Sequence, residues 1–432
     1  MSVGPFVPRD VMHRQLCAST RGMASWESRK SPDGAIILSE FLKHTAETVS
    51  HYDNLKNLRS ATEMLKLEDF PLTSRSEIAA NLTDYLSSTF PMDDLVWTST
   101  SGTTGVPLRI PRDLGSIYGV FHDTYFKVFG LIPGLLGELV AHRTAIIVLD
   151  DVPHRYPPAT VVQPVLAKTL LQRVVIGTSE SDDRRIVEDL RLEKIPLLYG
   201  RPRSLRRLRE IEEEECEGAR IRPFAILSSG DNLYESDRVS LESWFGCPVF
   251  NAYGSQESGV VGLECSNQNG VHLWNDRCVV EILNEDQTVS SIGSGELVLT
   301  NLANWALPFV RYKTGDFVRI EVGACKCGYV GQTLREIAGR DSVYFRLNNK
   351  RFNPSQLDAI FESRPVLQYQ IRQYPNECIE ITWVADRRFE TSALESEMNE
   401  HLKRIIKGVE VRWVRADRIG APGEKVQRFV TV

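Results

Sequence analysis

Short apolar runs recur through the middle of the chain, each closed by a polar or glycine-containing turn. TAIIVLD (144–150), RVVIGTS (173–179), IPLLYG (195–200), FAILSSG (224–230) and CPVFNAYG (247–254) predict buried strands. Between them RRIVEDLRLEK (184–194) and RSLRRLREIEEEECE (203–217) carry helical spacing. From about residue 95 to 300 this alternation predicts parallel β-structure built from βαβ units. The acidic run EIEEEECE reads as a solvated helix face. Upstream, ILSEFLKHTAETVSHY (37–52) predicts a helix, with Leu38, Phe41 and Leu42 on one stripe.

After Gly339 the texture changes. NPSQLDAIFE and ETSALESEMNEHLKRII predict helices, and CIEITWVAD and GVEVRWVRA predict strands. The expected fold class is therefore α/β. Residues 1–340 would form a large N-terminal domain with βαβ subdomains, and residues 341–432 a small α+β C-terminal domain.

Composition narrows the function classes. A chain of 432 residues exceeds a single hydrophobic core, which agrees with more than one domain. Its net charge of −6 gives no basic footprint for nucleic acid or an acidic membrane. No apolar run is long enough to cross a bilayer. MSVGPFVPRDVMHRQ at the N-terminus lacks the apolar core of a signal peptide, so a cytoplasmic setting is expected. Eight cysteines in such a chain point to reduced thiols or metal ligands rather than a disulfide framework.

The candidate chemistry lies in the loops. TSTSGTTGVPLR (98–109) holds almost no apolar surface but packs hydroxyls and glycines together. Main-chain N–H groups in such a turn can surround an anion, and Ser/Thr hydroxyls can donate to phosphate oxygens. FAILSSG runs into SSGDN (228–232), and CPVFNAYG into NAYGSQESG (251–259), with an aromatic ring, Gly254 and then Glu257. A tyrosine there can stack on a flat base, and a carboxylate can hold magnesium beside phosphates. In LPFVRYKTGDFVRI, Asp316 follows a Thr-Gly turn between two strand-like runs and could accept both hydroxyls of a ribose. Turn chemistry alone also favours Asp, Gly, Ser and Asn at such places. Cys265 and His272 in ECSNQNGVH, with Cys325 and Cys327 in ACKCG, supply four soft ligands for one tetrahedral zinc, and Cys278 is a spare candidate.

Taken in order, TSTSGTTGVP, SSGDN, NAYGSQE, RYKTGD, GRD and a late GEK resemble the adenylate-forming superfamily of acyl-CoA synthetases, peptide-synthetase adenylation domains and luciferases. Chain length and the segments FLKHTAETVSHYDNL, LEDFPLTSRSEIAANL and FNPSQLDAIFE look closest to the phenylacetate–CoA ligase family. The resemblance covers roughly residues 37–432. It implies that Ser101, Gly102, Thr103, Thr104 and Gly105 cradle the β- and γ-phosphates of ATP, with Thr104 also among the catalytic residues. Ser229, Gly230 and Asp231 would border the adenine, with Tyr253 and Gly254 against it and Asn251 near its amino group. Asp316, assisted by Arg340, would bind the ribose hydroxyls. Glu257 would ligate Mg, and Lys425 in PGEKVQRF would neutralise charge at the acyl phosphate. Some relatives carry a similar Cys…His…Cys-x-Cys pattern, which supports a structural Zn.

The implied reaction joins a carboxylic acid, expected to be aromatic, to AMP with release of pyrophosphate, then passes the acyl group to CoA. The small domain would swing between the two steps about a hinge at Asp341. Expected partners are a small carboxylic acid, ATP and CoA, with a homodimer as the assembly and neither nucleic acid nor membrane. Three departures stand out. Leu108 and Arg109 follow Pro107 where Lys or Thr is usual, Gln256 replaces a Ser/Thr, and Asn349 replaces a glycine on the pantetheine path. Asn349 keeps open a carrier-protein phosphopantetheine, as on an acyl carrier protein, or an amine as the acceptor. A catalytically silent nucleotide-binding homologue is the remaining alternative. Residues between Tyr118 and Tyr156 are the expected surroundings of the acid.

Overall fold

The computed structural model describes residues 34–57, 64–99, 108–142, 144–150, 160–163, 168–176, 180–214, 220–340, 345–347, 350–352, 357, 360–361, 364, 366–385, 391–420 and 428–432. The chain divides into two compact units, residues 1–145, 154–172 and 250–336 in one and 146–153, 173–249 and 337–432 in the other.

The first unit begins with the helix Gly34–Thr48, which ends four residues before the stretch predicted from sequence and continues as a 3-10 turn, Ser50–Asn57. Ile37, Phe41 and Leu42 face a core with Tyr52, Phe70, Ile78, Leu108 and Phe309. The short helix Arg75–Ala80 starts at a capping box: Ser74 N–H donates to the Glu77 carboxylate, and Glu77 N–H donates back to the Ser74 hydroxyl.

Between residues 249 and 340 the strands fold back on one another as antiparallel pairs, where the alternation had predicted continued parallel pairing to about residue 300. Strand Val249–Ser255 folds back on Gly259–Glu264, which pairs with Val271–Leu273. Cys278–Leu283, Gly293–Asn301 and Tyr312–Ala324 form an antiparallel meander with alternating burial at its start. The long strands 293–301, 312–324 and 330–340 carry many charged and polar residues, which concealed them from an apolar-run reading.

The second unit contains the parallel part. Ile146–Leu149 pairs with Leu197–Gly200, which pairs with Ala225–Ser228. Helices Glu180–Leu192, Pro202–Glu214 and Glu235–Phe245 bury Val187, Leu190, Leu205, Leu208, Leu241 and Phe245 with Ile147, Leu198 and Ile226. One member of the acidic run departs from the solvated-face reading. Glu212 is buried, and its carboxylate accepts from Trp244 Nε1 at 2.8 Å and from the N–H of Ile221. A helix face that must satisfy a neighbouring backbone N–H and an indole needs an acceptor there.

The C-terminal residues of this unit form their own sheet. Val366–Gln373 and Ile379–Ala385 make an antiparallel pair flanked in parallel by Phe429–Thr431 and Val411–Arg415. Helix Thr391–Ile405 packs Met398 and Leu402 on Ile371, Ile381 and Trp383. The segment NPSQLDAIFE lies largely outside the described residues. Among the described residues no single helix is long and apolar enough to cross a membrane, and the one pair that is so together, Asp123–Leu131 and Leu135–Ala141, is bent by 117°.

Candidate functional site

The hairpin between Val249–Ser255 and Gly259–Glu264 presents the first cluster. Its turn is forced close: a Cβ at Gly254 would lie 2.4 Å from the Gly259 carbonyl oxygen, and Gly259 itself has φ +69°. Only glycine fits both demands. Glu257 sits at the tip with its carboxylate buried, 7% exposed. Tyr312 Oη donates to Glu257 Oε1 at 3.1 Å, and Asn301 Nδ2 donates to the Glu257 carbonyl at 2.8 Å. The Glu257 N–H donates to Ser255 Oγ at 3.2 Å. The guanidinium of Arg112 donates to the carbonyl of Gln256. The glutamate is thus fixed through side chain and backbone by residues from three other segments.

Tyr253 lies on the first strand of the same hairpin, and its hydroxyl donates to Asp316 Oδ2 at 2.8 Å. Burial, and then the Asp316 charge, push the Tyr253 phenol well above its usual range, so it stays a neutral donor. Asp316 is not in a turn between two strands, as its sequence had indicated. It lies inside one continuous strand, Tyr312–Ala324, at a bulge. Glu296 pairs with Phe317 and Val298 with Lys313, so Thr314, Gly315 and Asp316 face Leu297 alone. Gly315 takes φ +77°, and Thr314 Oγ1 donates to the Leu297 carbonyl at 2.9 Å while accepting from the Asp316 N–H at 3.1 Å. A bulge uses the same residue types as a turn, which explains the misreading. Asn251 is anchored by its N–H to Glu264 Oε2 at 2.7 Å.

These groups make a consistent set within one unit: an aromatic ring, a carboxylate accepting a hydroxyl, and a second, buried carboxylate on a braced hairpin tip. Such a set can hold a base, a sugar diol and a divalent cation. Tyr312, Asn301 and Arg112 were not singled out from sequence. Tyr312 lay inside RYKTGD, but nothing in spacing tells that its hydroxyl reaches Glu257.

Residues 100–107 lie outside the described residues; the strands on either side, Val96–Ser99 and Arg109–Arg112, pair in register Ser99 to Arg109. Thr98 Oγ1 adds a bond to the Ile110 carbonyl at 3.2 Å. Leu108 is a core residue, and Arg109 lies 4.6 Å over the Trp97 ring, which accounts for both residues after Pro107. Ser101, Gly102, Thr103, Thr104 and Gly105 lie outside the described residues, as do Lys425, Asn349 and Asp341. Arg340 closes the strand Val330–Arg340.

Ser229, Gly230 and Asp231 belong to the second unit, at the carboxyl end of strand Ala225–Ser229. Ser229 is buried and hydrogen-bonded to the half-buried Tyr199. Gly230 takes φ +91°, and Asp231 forms an ion pair with Arg203 at 3.2 Å.

The cysteines and the histidine also come together. Ligand atoms of Cys265, His272, Cys325 and Cys327 all lie within 4.8 Å of one another. Cys265 Sγ is 3.7 Å from Cys325 Sγ, and Cys327 Sγ is 3.7 Å from His272 Nδ1. Tetrahedral zinc with Zn–S bonds of about 2.3 Å has sulfur–sulfur edges of about 3.8 Å, so the donor set and spacing fit zinc. The sulfurs are too far apart for a disulfide. His272 stacks on Tyr329 at 4.2 Å and 9°, and burial holds its pKa below the usual value, which favours the neutral ligand form. The N–H of Cys327 lowers the Cys325 thiol, whereas burial raises Cys327. Cys278 lies apart, its thiol 3.7 Å from the Trp274 carbonyl and pushed up to about 12 by burial.

No family model matches the chain. It is 29% identical to the phenylacetate-coenzyme A ligase of Thermus thermophilus over 157 residues, 34% of this chain and 35% of that one. It is 25% identical to the phenylacetate-coenzyme A ligase of Escherichia coli over 348 residues, 73% of this chain and 72% of that one. The match thus spans about a third of the first relative and nearly three quarters of the second. Among solved structures, 2-hydroxyisobutyryl-CoA ligase in complex with R3-HIB-AMP superposes with a TM-score of 0.71 at 15% identity, over 99% of this chain and 94% of that one. The anthranilate CoA ligase AuaEII gives 0.55 at 11% identity, over 78% and 65%. The chain has the fold of adenylate-forming acyl-CoA ligases, and in sequence it is similar to phenylacetate–coenzyme A ligases.

Proposed function

We propose that this protein activates a carboxylic acid, aromatic by preference, with ATP to give an acyl adenylate and pyrophosphate, and then transfers the acyl group to CoA. The observation that carries the reading is the pairing of Tyr253 with Asp316 beside the braced Glu257, in a chain similar to phenylacetate–coenzyme A ligases.

Attack of a carboxylate on the α-phosphate brings negative charges together, so catalysis is chiefly positioning and cationic stabilisation. Glu257 would hold magnesium, which supplies positive charge beside the phosphates. The hydrogen bond from Tyr312 and the Asn301 contact fix the direction of that carboxylate. Asp316 offers acceptor oxygens to the ribose hydroxyls, with Arg340 assisting. Tyr253 would give its ring to adenine, and Asn251 and Gly254 share its strand. Ser229, Gly230 and Asp231 would border the same base. Ser101 to Gly105, Thr104 included, would receive the phosphates, and Lys425 would meet the developing charge. Cys265, His272, Cys325 and Cys327 would hold one zinc whose role is structural, because four protein ligands leave no open position.

Asn349 favours a second acceptor reading, a carrier-protein phosphopantetheine arm or an amine. Incubating the protein with ATP, magnesium, an aromatic acid panel and CoA, and separating the products, tests both. Acyl-CoA with AMP is expected. Acyl adenylate that accumulates without CoA consumption, and is relieved in Asn349→Gly, would favour the other acceptors.

A further inference from the structure

Arg277 is only 1% exposed, in the turn between strands Val271–Leu273 and Cys278–Leu283 of the first unit. Its guanidinium reaches one helix, Val120–Leu131. Nη2 and Nε donate to Asp123 Oδ2 at 2.7 and 3.1 Å. Nη2 also lies 2.9 Å from the Val120 carbonyl and 3.1 Å from Thr124 Oγ1. Beside it, Asp276 pairs with Lys127 of the same helix, and the Lys127 ammonium lies 5.0 Å from the centre of the Trp274 ring. The turn 274–277 thus grips successive turns of a single helix.

The grip falls at an irregular place. Residues Gly115–Gly119 form a π-helical turn leading into the helix, a form that recurs at functional sites. Where that wide turn gives way to the α-helix, the Val120 carbonyl accepts from Thr124 Oγ1 at 2.7 Å as well as from Arg277. The same junction touches the segment that braces Glu257. Val120 packs on Ala303, and Ser116 Oγ donates to the Ala303 carbonyl at 2.7 Å. Ala303 N–H donates to Asn301 Oδ1 at 2.8 Å, on the amide whose Nδ2 holds the Glu257 carbonyl. Arg277 reaches this segment too, for its own carbonyl accepts from Leu302 N–H at 2.9 Å. Its side chain holds the helix while its backbone holds the brace. A buried ion pair is a poor source of stability, because desolvation offsets most of the attraction. It does fix geometry, because the guanidinium fork has set directions.

We propose that Arg277 is a positioning residue for the carboxylic acid. The assignment rests on the ligase reading above, in which the acid must reach the α-phosphate beside the cation that Glu257 would hold. The π-turn and the start of the helix adjoin the segment bracing that hairpin tip, so they form the wall against which the acid is aimed. Arg277 sets the spacing between that wall and the Glu257 brace. Recognition of the acid therefore depends on Arg277. Binding of ATP does not, because Asp316 and Tyr253 are tied to each other and Glu257 keeps its own bond from Tyr312.

The test uses the full chain and pyrophosphate exchange with phenylacetate and benzoate, varying acid and ATP in turn. Arg277→Met alone strands a buried carboxylate, so the informative protein is the pair Asp123→Leu with Arg277→Met, which removes both charges and should melt near wild type. In that pair kcat/KM for phenylacetate should fall on the order of 10²-fold, the cost of a misplaced reactant. The preference between the two acids should narrow, and the KM for ATP should stay within about threefold. Arg277→Lys keeps the charge without the fork and should lie between wild type and the pair. Hydrogen exchange at residues 115–124 should quicken in both. In an active wild type, variants that keep their kcat/KM for the acid overturn the assignment alone. So do variants that lose acid and ATP recognition equally, the mark of a merely structural role. A wild type with no acid-dependent exchange overturns the ligase reading, and the assignment with it.

Discussion

Tyr253 Oη donates to Asp316 Oδ2 at 2.8 Å, so the ring expected against adenine and the carboxylate expected on ribose are tied together before any nucleotide arrives. A nucleotide bound there would meet a preset carboxylate rather than a mobile one. Asp316→Ala should raise the KM for ATP by on the order of 10–100-fold, since a hydrogen bond to a charged group is worth about 1.5–3 kcal/mol. Tyr253→Phe keeps the ring and should stay within about threefold of wild type. ATP titrations of the steady-state rate check both, and an Asp316→Ala protein with unchanged KM would remove Asp316 from the site.

Glu257 is the residue with the most to lose. Glu257→Gln preserves the acceptor for Tyr312 but removes the charge, and should lower the adenylation rate by about 10²–10³-fold with partial recovery at high magnesium. Tyr312→Phe removes only the bond that aims the carboxylate. Its effect should be on the order of tenfold, near the lower end of the about 1.5–3 kcal/mol for a hydrogen bond to a charged group. Magnesium titrations of both variants distinguish charge from aim.

The Cys265, His272, Cys325 and Cys327 cluster predicts about one equivalent of tightly held zinc in purified protein. Cys327→Ser should lower the melting temperature before it alters the KM for ATP. Elemental analysis that finds no metal, with a chelator-insensitive melting curve, would reduce the cluster to four unligated side chains.

Asp237 predicts a specific acid response. Burial alone would raise its pKa, but Arg206 and Arg428 hold it below the ordinary carboxylate value. A depressed folded pKa means that its contribution is fully present above the unfolded value, about 3.9, and is lost as pH falls through the folded one. Asp237→Asn leaves two guanidiniums without their carboxylate and should cost on the order of 3–5 kcal/mol at neutral pH. Urea midpoints for wild type and variant should differ by a constant amount from pH 7 to about 5 and converge only below about 4. Convergence already near pH 6 would mean that Asp237 does not set the difference.

Much of this was legible because strands such as Thr144–Asp150 and Ala225–Ser229 are continuous apolar runs, and helices such as Glu180–Leu192 have one apolar stripe. Of the long strands from 293 to 340 only the apolar runs on either side of Thr314–Asp316 were, because polar alternation with glycines elsewhere reads equally as loops. Asp316 illustrates the limit: Thr-Gly-Asp marks an irregular backbone, but only the partner strand decides between a turn and a bulge. The cysteine cluster was legible from residue type together with the resemblance to relatives that carry a similar Cys…His…Cys-x-Cys pattern. Tyr312, Asn301 and Arg428 were hidden because their partners are distant in sequence, and such contacts leave no periodicity. Glu212 was hidden inside its run because burial of one acid among several depends on Trp244, a residue of another helix.

The most direct measurement is the exchange of labelled pyrophosphate into ATP with magnesium and a panel of aromatic acids, without CoA. Exchange that requires both an acid and magnesium, and disappears in Lys425→Ala while synthetic acyl adenylate still reacts with CoA, is the predicted result. No exchange with any acid of the panel, or ADP and phosphate as the products, would contradict adenylate formation.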